Sequence, residues 1–160
     1  MPDANFIKIE NNFNGSSWDF LDPRNWFRKK YTKDNVNILF IDDMDMPVVD
    51  NLKKSGYKVK KVKDVKDTDD AEVKNAQIIF VDFDGVGKNF SLKHQGVGLA
   101  NELKIKYGKK KFIVLYTAQK TLPADTVMQE LFNSLDFRLP KDSDTSDFIE
   151  LIRAALKKIR

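Results

Sequence analysis

Apolar residues come in two spacings along this chain, and the two alternate. Continuous runs occur at Ile38 to Ile41, in a strand that begins at Val36, at Ile78 to Val81 and at Phe112 to Tyr116, with a shorter stretch, broken by Arg138, at Phe137 to Leu139. Runs of this length bounded by polar residues predict buried strands. Between them, apolar residues recur every three or four positions, which predicts helices. Pro47 opens the first helix, Val48, Val49 and Leu52 line one side of it, and Gly56 lies past its end. Thr68 is placed to cap a second helix through Ala71 and Val73 to about Ala76. Val97, Leu99, Ala100, Leu103 and Tyr107 form the face of a third, stopped by Gly108. Pro123 opens a fourth around Val127, Leu131 and Phe132. Asp144 and Asp147 have capping-box spacing ahead of Phe148, Ile152, Ala155, Leu156 and Ile159.

One further strand, Tyr57 to Val62, reads YKVKKV. A strand covered on both faces could hardly hold those lysines, so it belongs at a sheet edge. Strands alternating with helices predict a doubly wound parallel α/β sheet of five strands, and the order 2-1-3-4-5 puts this strand at the edge. Residues 36–160 form this domain. Residues 1–35 are an aromatic-rich extension, WDFLDPRNWFRKKYTKDN, in which Asp22 and Pro23 suit the start of a short helix carrying Trp26, Phe27 and Tyr31. Its rings are expected to dock on the adjacent domain, with a partner-binding or dimerising role as the alternative.

Composition narrows the chemistry. The chain has no cysteine and one histidine, His94, which excludes disulfides and thiolate sites and argues against a histidine-ligated zinc. Oxygen ligands remain. The 28 basic residues are interspersed with 24 acidic ones, so the net charge of +4 reads as a solvated surface rather than a nucleic-acid stripe. No apolar stretch reaches the roughly 18 residues of a membrane span, and the first residues lack a signal peptide pattern. A cytoplasmic location is expected.

In open parallel sheets, ligands bind beyond the carboxyl ends of the strands. The residues there are Asp42 and Asp43 after the first strand, Asp82 after the third, Thr117 after the fourth and Lys141 after the fifth. Carboxylates held about 4 Å apart repel by roughly 4 kcal/mol per pair at an effective dielectric near 20, so such a cluster takes up a cation or a proton. Acids beside a hydroxyl and an ammonium suit Mg²⁺, a carboxylate nucleophile and a bound phosphoryl group.

The ordered set Asp42-Asp43, Asp82, Thr117-Ala118 and Lys141 resembles a response-regulator receiver domain of the CheY-like superfamily, whose fold is flavodoxin-like. The resemblance covers about Val36 to Ile159. It implies phosphorelay (two-component) signal transduction, with Asp82 accepting a phosphoryl group from a histidine kinase or phosphotransfer protein. Asp42, Asp43 and Asp82 would hold Mg²⁺, joined by the backbone carbonyl of Asp84, and output would pass to a downstream protein. No dedicated enzyme activity beyond self-phosphorylation and self-dephosphorylation is implied, although the Asp84 carboxylate is placed to act as a general base on the phosphorylated state. Two alternatives stand beside this reading. One is a receiver-like interaction module that is never phosphorylated. The other is a haloacid-dehalogenase-like phosphatase, suggested by Asp82-Phe83-Asp84-Gly85-Val86 but lacking that family's further acidic strand end.

The chain departs from the receiver pattern in three places. The stretch after Asp82, FDGVGKNFSLKHQGVG, is long and glycine-rich; Asp142, not proline, follows Lys141; and Arg138 stands where an aromatic switch residue is usual, with Phe137 one position earlier. His94, in the long loop, is expected to be solvated.

Overall fold

The computed structural model describes residues 29–118 and 125–159. Its strands are β1 (Asn37–Ile41), β2 (Lys58–Val62), β3 (Ile78–Asp82), β4 (Phe112–Thr117) and β5 (Phe137–Pro140). They form one sheet in the order β2-β1-β3-β4-β5, with every pairing parallel. The lysine-bearing β2 pairs with β1 alone and lies at the edge, as the cost of burying ammonium groups requires.

Among the described residues, four α-helices connect the strands and a fifth follows β5: α1 (Pro47–Lys54), α2 (Ala71–Asn75), α3 (Gln95–Tyr107), α4 (Thr126–Ser134) and α5 (Thr145–Lys158). Alternation along the strands divides the core in two. Ile38, Phe40, Ile78, Phe80, Val114 and Tyr116 face Val49 and Leu52 of α1 and Phe148, Ile152 and Ala155 of α5. Leu39, Ile41, Ile79, Val81, Ile113 and Leu115 face Val73 of α2, Val97 and Leu103 of α3, and Met128 and Phe132 of α4. The first layer is aromatic at its centre. Phe40 and Phe80 stack at a centroid distance of 4.5 Å, and Phe148 lies 5.5 Å from Phe80.

Most helix boundaries follow the expected signals. Pro47 stands at the start of α1, Gly108 follows α3 with φ +52°, and the Asp144 N–H donates to the Asp147 carboxylate at 3.1 Å at the start of α5. Thr68 does not cap α2. Its hydroxyl accepts from Lys106 at 2.9 Å, its carbonyl accepts from Tyr107 at 2.7 Å, and Asp70 occupies the cap position. At α4, Asp125 is the cap, accepting from the Val127 N–H at 2.9 Å; Pro123 lies outside the described residues. Met128 and Phe132 supply the buried face of α4, while Val127 is half exposed. The start of the helix expected from Asp22, with Trp26 and Phe27, also lies outside the described residues, whereas Tyr31, expected on that helix, stands in a segment that is not helical. Of the extension's rings, Tyr31 packs against the α1/α5 core.

Just before β4, Lys111 is buried, and its ammonium donates to the carbonyls of Lys74 (2.9 Å) in the last turn of α2 and of Ala76 (2.5 Å) just after it. Burial pushes its pKa from 10.5 down to about 8. The unfolded chain then binds more protons than the native one above pH 8, so stability should climb with pH there. Past pH 10 the buried Tyr116, whose pKa burial raises, opposes the climb. Between pH 8 and 10, denaturation curves should show a gain of up to about 1.4 kcal/mol per pH unit. Lys111→Met should abolish it; an identical pH profile in the variant would refute this assignment.

Candidate functional site

The ends of β1, β3 and β5 bring together the acids and the lysine. Asp42 directly follows β1, its N–H bonded to the Val62 carbonyl at 3.0 Å, and is fully buried. Asp82 closes β3 and is buried, while Asp43 is exposed. One carboxylate oxygen from each of these three lies within 4.8 Å of the others. Lys141 is held by backbone pairing, its N–H donating to the Thr117 carbonyl at 2.8 Å. Its ammonium reaches Asp82 Oδ2 at 2.8 Å and Asp42 Oδ2 at 3.0 Å.

Burial dominates the electrostatics. It raises the pKa of Asp82 above the ordinary carboxylate range, and the Asp42 charge adds to this against the bond from Lys141. Burial also disfavours the Lys141 ammonium, but the hydrogen bonds to Asp82 and Asp42 outweigh it and lift its pKa above the usual lysine value. Three carboxylates against one ammonium leave a formal charge of −2 on an all-oxygen donor set. That chemistry fits a hard divalent cation such as Mg²⁺, held by Asp42, Asp43 and Asp82.

Sequence reasoning overlooked Tyr116, counted above as the last residue of an apolar run. Its hydroxyl donates to Asp42 Oδ2 at 2.6 Å, and Asp42 Oδ1 accepts from the Met44 N–H at 2.7 Å. The signal was available: Tyr116 sits opposite Asp82 in the β3–β4 register and so shares its face of the sheet. Thr117, next along β4, is half-buried at the same carboxyl edge. Asp84 is exposed, and its side chain is not part of the carboxylate cluster.

The long loop after Asp82 runs against the site. The Gly85 N–H donates to the Gln95 side chain at 2.8 Å, and the Gly87 N–H to Asp64 at 2.9 Å. Gly85 has φ +86°, and a Cβ there would meet the Asp43 carboxylate at 2.6 Å. At the loop's far foot, a Cβ on Gly96 would fall 1.7 Å from the Asp82 carbonyl oxygen. Glycine is needed there because helix α3 starts in contact with the Asp82 backbone. His94, expected to be solvated, is only partly exposed: its Nδ1 lies 3.3 Å from the Ser91 hydroxyl, and its Nε2 is buried without a hydrogen-bond partner.

The residues at the usual switch position face opposite ways. Phe137 packs on the α1/α5 core, whereas Arg138 turns to the other face, its guanidinium 5.2 Å from the Phe132 ring and its Nη1 buried without a hydrogen-bond partner. Phe132 in turn stacks on Phe83, the residue after Asp82, at 5.8 Å.

With five parallel strands in this order and helices on both faces, the chain has the fold of response-regulator receiver domains. Solved structures bear this out. The CheY-like receiver domain protein of Methanospirillum hungatei superposes with a TM-score of 0.55 at 19% identity, over 76% of this chain and 94% of that one. The BeF3-activated receiver domain of Klebsiella pneumoniae RstA gives 0.55 at 18% identity, over 76% and 98%. NtrX from Brucella abortus gives 0.56 at 17% identity over 77% of this chain, which spans only 27% of the length of NtrX. No protein-family model matches the sequence, and no curated protein is similar to it in sequence.

Gly96→Ala should lower stability by about 3 kcal/mol in chemical denaturation, because the added methyl group meets backbone that cannot yield. A loss below about 1 kcal/mol would contradict the close approach of α3 to Asp82.

Proposed function

We propose that this chain is a receiver of phosphorelay (two-component) signal transduction that accepts a phosphoryl group on Asp82 in a Mg²⁺-dependent reaction in the cytoplasm. The observation that carries this reading is the Lys141 ammonium 2.8 Å from Asp82 and 3.0 Å from Asp42, at the carboxyl end of a receiver-type sheet. Among the described residues, no helix is long and apolar enough to cross a membrane.

In the proposed step an Asp82 carboxylate oxygen attacks the phosphorus of a phosphohistidine on a histidine kinase or phosphotransfer protein, or of a small phosphodonor. A P–O bond forms to Asp82, the bond from phosphorus to the leaving group breaks, and the leaving nitrogen or oxygen keeps the electron pair. Asp42, Asp43 and Asp82, with the Asp84 carbonyl, would hold Mg²⁺, which would supply charge neutralisation for the transferred group. Lys141 exchanges Asp42 for a phosphoryl oxygen, and the Thr117 hydroxyl donates to another. At neutral pH the modified Asp82 carries a charge near −2 in place of −1, about one more negative charge on a bulkier group, which biases the surface presented to a downstream protein partner.

The phosphatase alternative loses ground on topology. The acids that join Asp82 and Lys141 are Asp42 and Asp43 at the end of β1, upstream of the strand that carries Asp82, which is the receiver's order and not the phosphatase's. An interaction module that is never phosphorylated is separated by experiment. Beryllofluoride with Mg²⁺ mimics an acyl phosphate, so calorimetry should show it binding the native chain and failing to bind Asp82→Ala. Absence of binding to the native chain, or binding kept by the variant, would rule out phosphorylation at Asp82.

Asp84 is exposed two residues beyond the nucleophile, where its carboxylate can act as general base on an incoming water. Asp84→Asn should lengthen the lifetime of the phosphorylated protein at least about tenfold, measured by its decay after the phosphodonor is removed. An unchanged or shorter lifetime would remove Asp84 from that role.

A further inference from the structure

Tyr116 is fully buried in the aromatic cluster, its ring edge-on to Phe40 at 5.8 Å and to Phe80 at 6.3 Å. Its hydroxyl leaves that cluster toward the acids and donates to Asp42 Oδ2 at 2.6 Å. The same oxygen accepts from Lys141 at 3.0 Å, and Oδ1 accepts from the Met44 N–H at 2.7 Å. Asp42 is 0% exposed, so protein donors replace the water it gave up.

The three donors differ in kind. The Met44 N–H and the Tyr116 hydroxyl are neutral and anchored in backbone or packed core. Lys141 is charged and is shared with Asp82. A cationic donor repels a metal ion arriving at the same carboxylate, whereas a neutral hydroxyl fills a lone pair without adding positive charge. Were residue 116 apolar, Asp42 Oδ2 would depend on Lys141 alone among the hydrogen bonds described above. The lysine could then not turn to a phosphoryl group without stranding a buried carboxylate oxygen.

Building on the receiver reading above, we propose that Tyr116 is a positioning residue for the cation: its hydroxyl clamps Asp42 toward the metal and frees Lys141 for the phosphoryl group. The clamp is rigid because the ring is wedged between Phe40, Phe80 and the rest of the α1/α5 core.

The full chain, native and as Tyr116→Phe, tests this with Mg²⁺ alone as the probe. Calorimetry should show the variant binding Mg²⁺ about tenfold more weakly, the usual cost of losing a hydrogen bond to a metal ligand, with an unchanged far-ultraviolet circular dichroism spectrum. In the native chain, Mg²⁺ should produce a tyrosine difference band in near-ultraviolet absorption that saturates with the calorimetric isotherm and vanishes in the variant. Equal Mg²⁺ affinity in the two proteins would overturn the proposal. So would native Mg²⁺ binding with no tyrosine band, an outcome that needs no variant and holds even if Tyr116→Phe fails to fold. A native chain that binds beryllofluoride while either of these results is obtained leaves the receiver reading standing without the clamp. A native chain that binds neither Mg²⁺ nor beryllofluoride overturns both.

Discussion

Everything at the carboxyl edge of the sheet depends on one ammonium group shared between two buried carboxylates. Asp42 and Asp82 lie at the ends of neighbouring strands where water has been excluded, and burial of such polar groups is costly without donors to replace the water. Lys141 reaches both, and it can do so because β5 pairs with β4 in a register that sets its backbone against Thr117. The sheet order is thus an electrostatic matter as well as a packing one. Exchange β5 with any other strand and the acids lose their counter-charge.

That shared ion pair also explains why the site is poised rather than satisfied. One positive charge offsets three negative ones, and the exposed carboxylate, Asp43, lies on the side that the glycine-rich loop approaches. The remaining charge suits a divalent ion in magnitude, and the oxygen donors suit it in hardness. Stability and function pull in opposite directions here, since the grouping that invites a cation is costly to fold around without one.

Much of this was legible in the sequence because parallel sheets write their topology plainly. Buried strands read as continuous apolar runs, the edge strand betrays itself by the lysines of KVKKV, and residues just past each run share one edge. What stayed hidden has a common cause. The roles of Tyr116, Asp125 and Thr68 depend on a polar atom at the tip of a side chain, and spacing along the chain does not report where that tip ends. Tyr116 looks apolar by position and acts through its hydroxyl; Thr68 looks like a cap, yet its hydroxyl serves α3 from outside. The long loop was legible in composition but not in path, because its course is set by contacts with Asp43, Asp64 and Gln95. Phe137 and Arg138 show period-two alternation at work, one on each face of the sheet, so the ring and the guanidinium do not substitute for one another.

The contact at Gly96 has a consequence for how this loop tolerates change. Its N–H donates to the Phe83 carbonyl at 3.2 Å, so the two feet of the segment between them are tied to each other as well as to the sheet. A loop closed at its base is entropically almost indifferent to its own length, since doubling it costs only about 0.6 kcal/mol. Residues can be gained or lost at its crown while the strand, Asp82 and the first turn of α3 keep their places. The closure works as a length buffer, letting the rim of the site vary while the chemistry beneath it is held constant.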